Sequence, residues 1–300
     1  MILPRLVLGT ARIAGGIDER RGIALVRSAL DAGITHIDTA PSYGLGTAEI
    51  VVGKAIVGFG RVGVTTKLGS NRPGQAWLRT ALRRIKRGIA TAETIAASLP
   101  PPRIAGPSGN DFALAAMARS FALSRERLGR IDVLLLHDIS APEVTKAVLA
   151  ELLALADAIE ATPGYAGYAQ WDAALDAAFP ADAIAQCAPD PRWLSSGAAV
   201  LSTRPLWLHS VVKTGLALAA SDPQFAIALD RAAAMVEARD LPTARLAGLY
   251  ALAARRVPDA RLLVTSSHRD RLDGLLAAIA GIDRGNQVDE IAALFAPQAG

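Results

Sequence analysis

An alternation constrains this chain more than any other feature. Eight short apolar runs recur along its 300 residues: "RLVLG" (5–9), "THIDT" (35–39), "VGVTT" (62–66), "DVLLL" (132–136), "GYAGY" (164–168), "AIAQC" (183–187), "LWLHS" (206–210) and "RLLVT" (261–265). Between them lie segments of helical character at 20–32, 47–57, 112–128, 142–157, 171–178, 223–237, 243–255 and 269–280. Short apolar runs bounded by turn residues read as strands, and apolar spacing of three and four as amphipathic helices. Alternating strands and helices form parallel βαβ units, because parallel neighbours need a long crossover. Eight such units predict an α/β fold, a (β/α)8 TIM barrel spanning 1–300 as one domain. An open doubly wound sheet is the alternative.

One stretch breaks the rhythm. "GIATAETIAASLPPPRIAGPSGND" (88–111) is rich in proline, glycine and small residues and follows the third strand. In a barrel it belongs to the third βα connection, on the face where function sits. It is either a tolerated insertion or a flap over a substrate.

Composition narrows the function classes. Charged residues make up 20% and the net charge is only +4, with basic residues scattered among acids, so a nucleic-acid partner is not expected. No apolar stretch reaches the roughly 18 residues of a membrane span. The first residues lack the basic-then-apolar pattern of a secretory leader. A cytoplasmic protein without membrane contact is the expectation. The single cysteine, Cys187, excludes a disulfide within the chain and a cysteine-based metal site.

The motif survey is mostly negative. "GFGRVG" (58–63) fits the dinucleotide pattern GxGxxG, but a helix precedes it and a strand follows, the reverse of the order that aims a helix N-terminus at a pyrophosphate. The four histidines form no HExxH or similar pair, and no metal site is expected. No GxSxG elbow is present.

The barrel reading makes a geometric prediction instead, since residues at strand C-termini converge on one mouth. Asp38 ends the second strand and Tyr43 follows in its loop; Lys67 ends the third strand and His137 the fourth. Singly, these read as a cap, a packing residue, a surface lysine and a core histidine. Together they form a unit for proton transfer. An unperturbed tyrosine, with a pKa near 10, is a sluggish acid at neutral pH. A nearby ammonium favours the phenolate, and a carboxylate holds that ammonium in place.

These residues resemble the aldo-keto reductases. "GITHIDTAPSYGLGTAE" is similar to that family's second-strand signature, "VTTKLG" to its lysine strand, and "RERLGRIDVLLLHDI" to the segment carrying its histidine. The resemblance implies that Tyr43 donates the proton, Lys67 depresses its pKa, Asp38 pairs with Lys67, and His137 orients a carbonyl. It implies hydride exchange between a carbonyl (aldehyde, ketone or aldose) and an alcohol, with NADP(H) preferred over NAD(H). "AMARSFALSRERLGRIDVLLLHDI" also resembles members that oxidise sugars.

The resemblance places the cofactor at the barrel mouth, with departures from the common pattern. After strand five, Ala169 and Gln170 replace the usual Ser-Asn pair, so that Gln170 offers the amide. Gln186 matches the glutamine that holds the carboxamide. His209, followed by Ser210, stands where an aromatic ring stacks on the nicotinamide. Ser266, Ser267, Arg269 and Arg271 fall in the loop that takes the 2′-phosphate, with Thr265 in place of a lysine and Leu275 in place of an asparagine. The competing readings are a barrel lyase using Lys67 as a Schiff base, and a non-catalytic cofactor-binding barrel acting as a sensor or partner subunit.

Overall fold

Eight parallel strands close on themselves: β1 (Leu6–Gly9), β2 (His36–Asp38), β3 (Gly63–Leu68), β4 (Val133–His137), β5 (Thr162–Gln170), β6 (Ile184–Ala188), β7 (Leu206–Leu208) and β8 (Arg261–Val264). Each pairs with the next in sequence, and β8 pairs with β1. This computed structural model describes residues 1–13, 19–70, 110–200 and 202–296. Each expected strand is present, shifted by a few residues at most. The expected insertion at 88–111 lies outside the described residues except for Asn110 and Asp111.

The helices are α1 (Glu19–Asp31), α2 (Ala48–Ala55), α3 (Leu114–Leu128), α4 (Lys146–Asp157), α5 (Ala173–Ala177), α6 (Pro191–Ser195), α7 (Val211–Ser221), α8 (Pro223–Met235), α9 (Leu241–Arg256), α10 (Arg269–Arg284) and α11 (Val288–Ala293). Asp172, Asp190, Asp222 and Asp240 start α5, α6, α8 and α9 by accepting hydrogen bonds from backbone N–H groups of the first turn. None of the helices is long and apolar enough to cross a membrane, among the described residues.

Two differences from the sequence expectation have physical causes. Helix α7 is absent from the helices expected from sequence, and its Gly215 lowers local helix propensity. Gly215 serves packing instead: a Cβ there would lie 2.4 Å from Leu249 Cδ2 on α9. Strand β5 runs to nine residues rather than five. Its Gly164 permits close approach to β6, where a Cβ would meet the Ile184 carbonyl oxygen at 2.2 Å.

Side chains alternate along each strand, so every second residue faces the barrel axis. Val7, Val133, Leu135, Ala166, Ile184 and Trp207 form an apolar plug inside, with Leu263 against it. The plug is polar at its lower rim. His36 meets Trp207 edge-on at 4.7 Å and shares a 2.8 Å hydrogen bond between its Nε2 and Thr65 Oγ1. Two residues further along the same strands, the inward positions are Asp38, Lys67, His137 and Gln186. The alternation that fills the plug therefore also delivers the polar layer above it.

Glu49 stands at the start of α2, where a negative charge is favoured by the helix dipole. It is buried there and accepts from Thr66 Oγ1 at 2.9 Å and Ser124 Oγ at 2.6 Å. It ties α2 to β3 and α3 directly behind the lysine strand.

Candidate active site

An ion pair lies at the centre of the mouth. Lys67 Nζ donates to Asp38 Oδ1 at 2.6 Å, Oδ2 at 2.7 Å and the Thr39 carbonyl at 2.9 Å. Both side chains are buried, at 0% and 2% exposure. A buried pair repays its desolvation only when its remaining hydrogen-bonding capacity is also met. Here the three ammonium protons all have acceptors, and Gln186 Nε2 donates to Asp38 Oδ2 at 2.9 Å. Burial pulls the Lys67 pKa down, but the Asp38 charge and hydrogen bonds, with Tyr43, pull it further up. Lys67 is a fixed cation.

Tyr43 begins a short 3-10 turn after β2 and stands half-buried beside this cation, with Lys67 Nζ 4.9 Å from its ring centre. His137 meets the Tyr43 ring edge-on at 5.5 Å. Burial raises the phenol's pKa; the Lys67 charge opposes this, and Asp38 and Asp138 add to it. The net direction is upward, so the depression expected from Lys67 alone is outweighed and the resting phenol keeps its proton. Burial, with the charge of Lys67, holds His137 well below the usual histidine range. It is a neutral imidazole.

The four expected residues thus converge, and unmet polar groups surround them. Thr39 Oγ1, Ser70 Oγ, His137 Nδ1 and Trp171 Nε1 are buried without hydrogen-bond partners among the described residues. They lie at or just beyond the ends of β2, β3, β4 and β5. Buried orphans of this kind are rare and call for an explanation. Two residues at the same rim, Asp138 and Ser210, hold left-handed backbone conformations, with φ of 48° and 58°. Such strain collects at functional sites. The third βα connection leaves and returns here: Asp111 N donates to the Gly69 carbonyl at 2.8 Å, and Asn110 Nδ2 donates to the His137 carbonyl.

Asp138 was not singled out from sequence. Its carboxylate is 36% exposed and lies 3.7 Å from His137 Nε2, with no hydrogen bond to any described residue. The available signal was an acid directly after a strand-terminal histidine.

The residues expected to hold a cofactor fall into two groups. Around the mouth, Gln170 is exposed and Gln186 is engaged with Asp38. His209 Nε2 donates to the Gly167 carbonyl at 3.1 Å, which leaves Nδ1 to accept from Ser210 Oγ at 2.9 Å. That fixes the ring but commits both of its nitrogens. Further out, Ser266, Ser267, Arg269 and Arg271 surround the start of α10, whose N-cap His268 makes no side-chain cap. Ser266 Oγ donates to the His268 carbonyl and accepts from its N–H. Arg269 Nε reaches Asp273 and Ser28, each at 3.2 Å, whereas Arg271 is exposed with no partner among the described residues. Uncapped helix N–H groups beside free guanidinium charge suit an anion such as phosphate.

Comparison with known proteins agrees with this geometry. Residues 5–162 match the profile of the aldo/keto reductase family, a span that includes all four converging residues. "Aldo-keto reductase YhdN" of Bacillus subtilis (strain 168) is 52% identical over 61 residues, covering 19% of this chain and 18% of that protein. The "NADH-specific methylglyoxal reductase" of Escherichia coli (strain K12) is 34% identical over 110 residues, covering 32% of this chain and 34% of that protein. The crystal structure of an aldo/keto reductase from Klebsiella pneumoniae in complex with NADP and acetate superposes with a TM-score of 0.58 at 21% identity, over 99% of this chain and 93% of that one. The chain belongs to the aldo/keto reductase family.

Proposed function

We propose that this protein exchanges a hydride between a nicotinamide dinucleotide and a small carbonyl or alcohol, with Tyr43 as the proton donor. One observation carries the reading: a fully buried ammonium, Lys67, lies 4.9 Å from the Tyr43 ring centre and is held there by Asp38 and the Thr39 carbonyl.

The chain's own residues then have defined tasks. Tyr43 rests protonated and gives its proton to the carbonyl oxygen as the alcohol forms. The phenolate left behind is a partly buried anion, and Lys67 stabilises it by charge without being able to move away. Asp38 and Gln186 hold Lys67 in register. His137, being neutral, offers a ring N–H to the carbonyl oxygen without competing for Tyr43's proton. In the oxidising direction Tyr43 must first lose its proton.

When bound, the dinucleotide supplies or accepts the hydride. The residues present fit such a group at both ends. Buried orphan groups line the mouth, and the α10 N-terminus with Arg271 and Arg269 suits a 2′-phosphate. Gln170, the Gln186 amide oxygen, His209 and Ser210 are the candidates at the nicotinamide end, with Ser266 and Ser267 at the phosphate end. NADP(H) is the preferred cofactor on this arrangement and NAD(H) the second. The Klebsiella structure contains NADP, and the Escherichia coli relative is named as NADH-specific, so relatives of both kinds are represented.

A Schiff-base role for Lys67 is disfavoured, because its pKa is raised and its three protons are all engaged. The test is absorbance at 340 nm across aldehydes, ketones and aldoses with each cofactor. Removing a general acid costs roughly 10²- to 10⁴-fold in rate. Tyr43→Phe should show that loss while binding cofactor as wild type does. Activity near wild type in Tyr43→Phe would refute the assignment.

A further inference from the structure

Asp138 has features that the proton-transfer unit does not use. It follows directly on His137, at the C-terminal end of β4. Its backbone is held at φ 48°, a conformation that side chains other than Asn and Asp rarely take outside glycine. The conformation sets its Oδ2 3.7 Å from His137 Nε2, too far for a hydrogen bond between them. No described residue hydrogen-bonds to this carboxylate, although Asn110 reaches the backbone carbonyl of the preceding residue. At 36% exposure it is neither in bulk water nor sealed in the core. Partial burial disfavours the charged carboxylate, a cost that a hydrogen-bond donor on a ligand would offset. The backbone strain adds to that cost, which is the pattern of a position held for a ligand.

The chemistry of the pair says which ligand. His137 Nε2 can donate a hydrogen bond, and Asp138 Oδ2 can only accept one while ionised. A single hydroxyl spans the 3.7 Å between them, but a reacting carbonyl oxygen that accepts from His137 has no proton to pass on, so a donor for Asp138 must come from a neighbouring atom of the substrate. A carbonyl with a hydroxyl on the adjacent carbon has that arrangement; a plain aldehyde or ketone has only the acceptor. A cationic donor is less suited, since Lys67 already places a positive charge behind the same site.

We infer that Asp138 is a specificity-determining residue that accepts a hydrogen bond from a hydroxyl group on the carbon next to the reacting carbonyl. The preferred substrates are therefore α-hydroxy carbonyl compounds, the class that includes aldoses. This inference rests on the proposed oxidoreductase function. His137 and Tyr43 hold the carbonyl oxygen, and Asp138 selects for the neighbouring hydroxyl.

The test compares glyceraldehyde with propionaldehyde, which lacks the hydroxyls, using NADPH and NADH. The readout is the ratio of kcat/KM between the two aldehydes, so any general effect of a substitution divides out. Asp138→Asn and Asp138→Gly both tolerate the positive φ. Wild type should prefer glyceraldehyde. Asn keeps a neutral acceptor and Gly keeps none, so the preference should fall roughly 5-fold in Asn and roughly 10- to 100-fold in Gly. If Asp138→Gly does not fold, the Asn ratio decides. Equal losses on both aldehydes, an unchanged ratio, or a wild-type preference for propionaldehyde would overturn the role of Asp138 and leave the oxidoreductase reading standing. No turnover of any carbonyl by wild type would overturn that reading, and Asp138's role with it.

Discussion

Gln186 Nε2 donates to Asp38 Oδ2 at 2.9 Å, joining β6 to β2 across the mouth of the barrel. Both side chains are buried, at 2% exposure each. The glutamine therefore completes the solvation that the ion pair lost on burial, in addition to any contact it makes with a cofactor. Replacing it by leucine leaves a carboxylate lone pair without a donor, which costs about 1–3 kcal/mol. Gln186→Leu should lower the urea midpoint accordingly, with cofactor absent. A midpoint equal to wild type would show that the bond contributes nothing to the fold.

The barrel and the four converging residues were legible because they rest on periodicity. Eight apolar runs set the strand number, and a two-residue alternation places Asp38, Lys67 and His137 on the inner face. The link from Gln186 to Asp38 was not legible, since 148 positions separate the partners and closure alone brings them together. The same is true of buried Glu49, whose partners lie on β3 and α3. Helix α7 was hidden for a different reason. Gly215 lowers local helix propensity, yet the close contact with Leu249 requires it. Asp138 was visible as a residue but not as a site, because its position depends on a backbone angle that sequence pattern does not encode.

The Tyr43 phenol has a raised pKa in the free protein, with burial the largest cause. On the proposed mechanism, reduction needs the protonated form. Its kcat/KM should stay flat through neutral pH and fall only above about 10, the unperturbed tyrosine value. Oxidation needs the phenolate and should rise with pH over the same range. Lys67 pulls this pKa down, so Lys67→Met should move the oxidation midpoint further up. A tyrosine-dependent reduction midpoint below about 10 would contradict the direction assigned to the phenol.

Near the α10 N-terminus, Arg271 has no partner among the described residues, whereas Arg269 is held by Asp273 and Ser28. A charge-assisted hydrogen bond to phosphate contributes about 1.5–3 kcal/mol. Arg271→Ala should therefore weaken NADPH binding by roughly 10- to 100-fold, while NADH, which lacks the 2′-phosphate, is nearly unaffected. Titration of cofactor fluorescence with both dinucleotides measures this directly. Equal weakening of the two would remove Arg271 from the phosphate site.

His36, at the bottom of the plug, carries the clearest pH signature for stability. Burial, with a smaller contribution from Arg261, lowers its pKa to about 3. An unfolded histidine titrates near 6.5. Between those values the unfolded chain binds one more proton at this position than the folded chain, so stability rises with pH there. The contribution is fully present above about pH 6.5 and is lost progressively as pH falls toward 3, at about 1.4 kcal/mol per pH unit. His137 and His209 are also lowered and add to the same slope. His36→Gln keeps a hydrogen-bonding partner for Thr65 but cannot titrate. Urea unfolding at a series of pH values from about 4.5 to 6 should give a slope shallower by one proton in that variant. Parallel slopes for wild type and His36→Gln would mean that His36 is protonated in the folded barrel, which its seat between Trp207 and Thr65 disfavours.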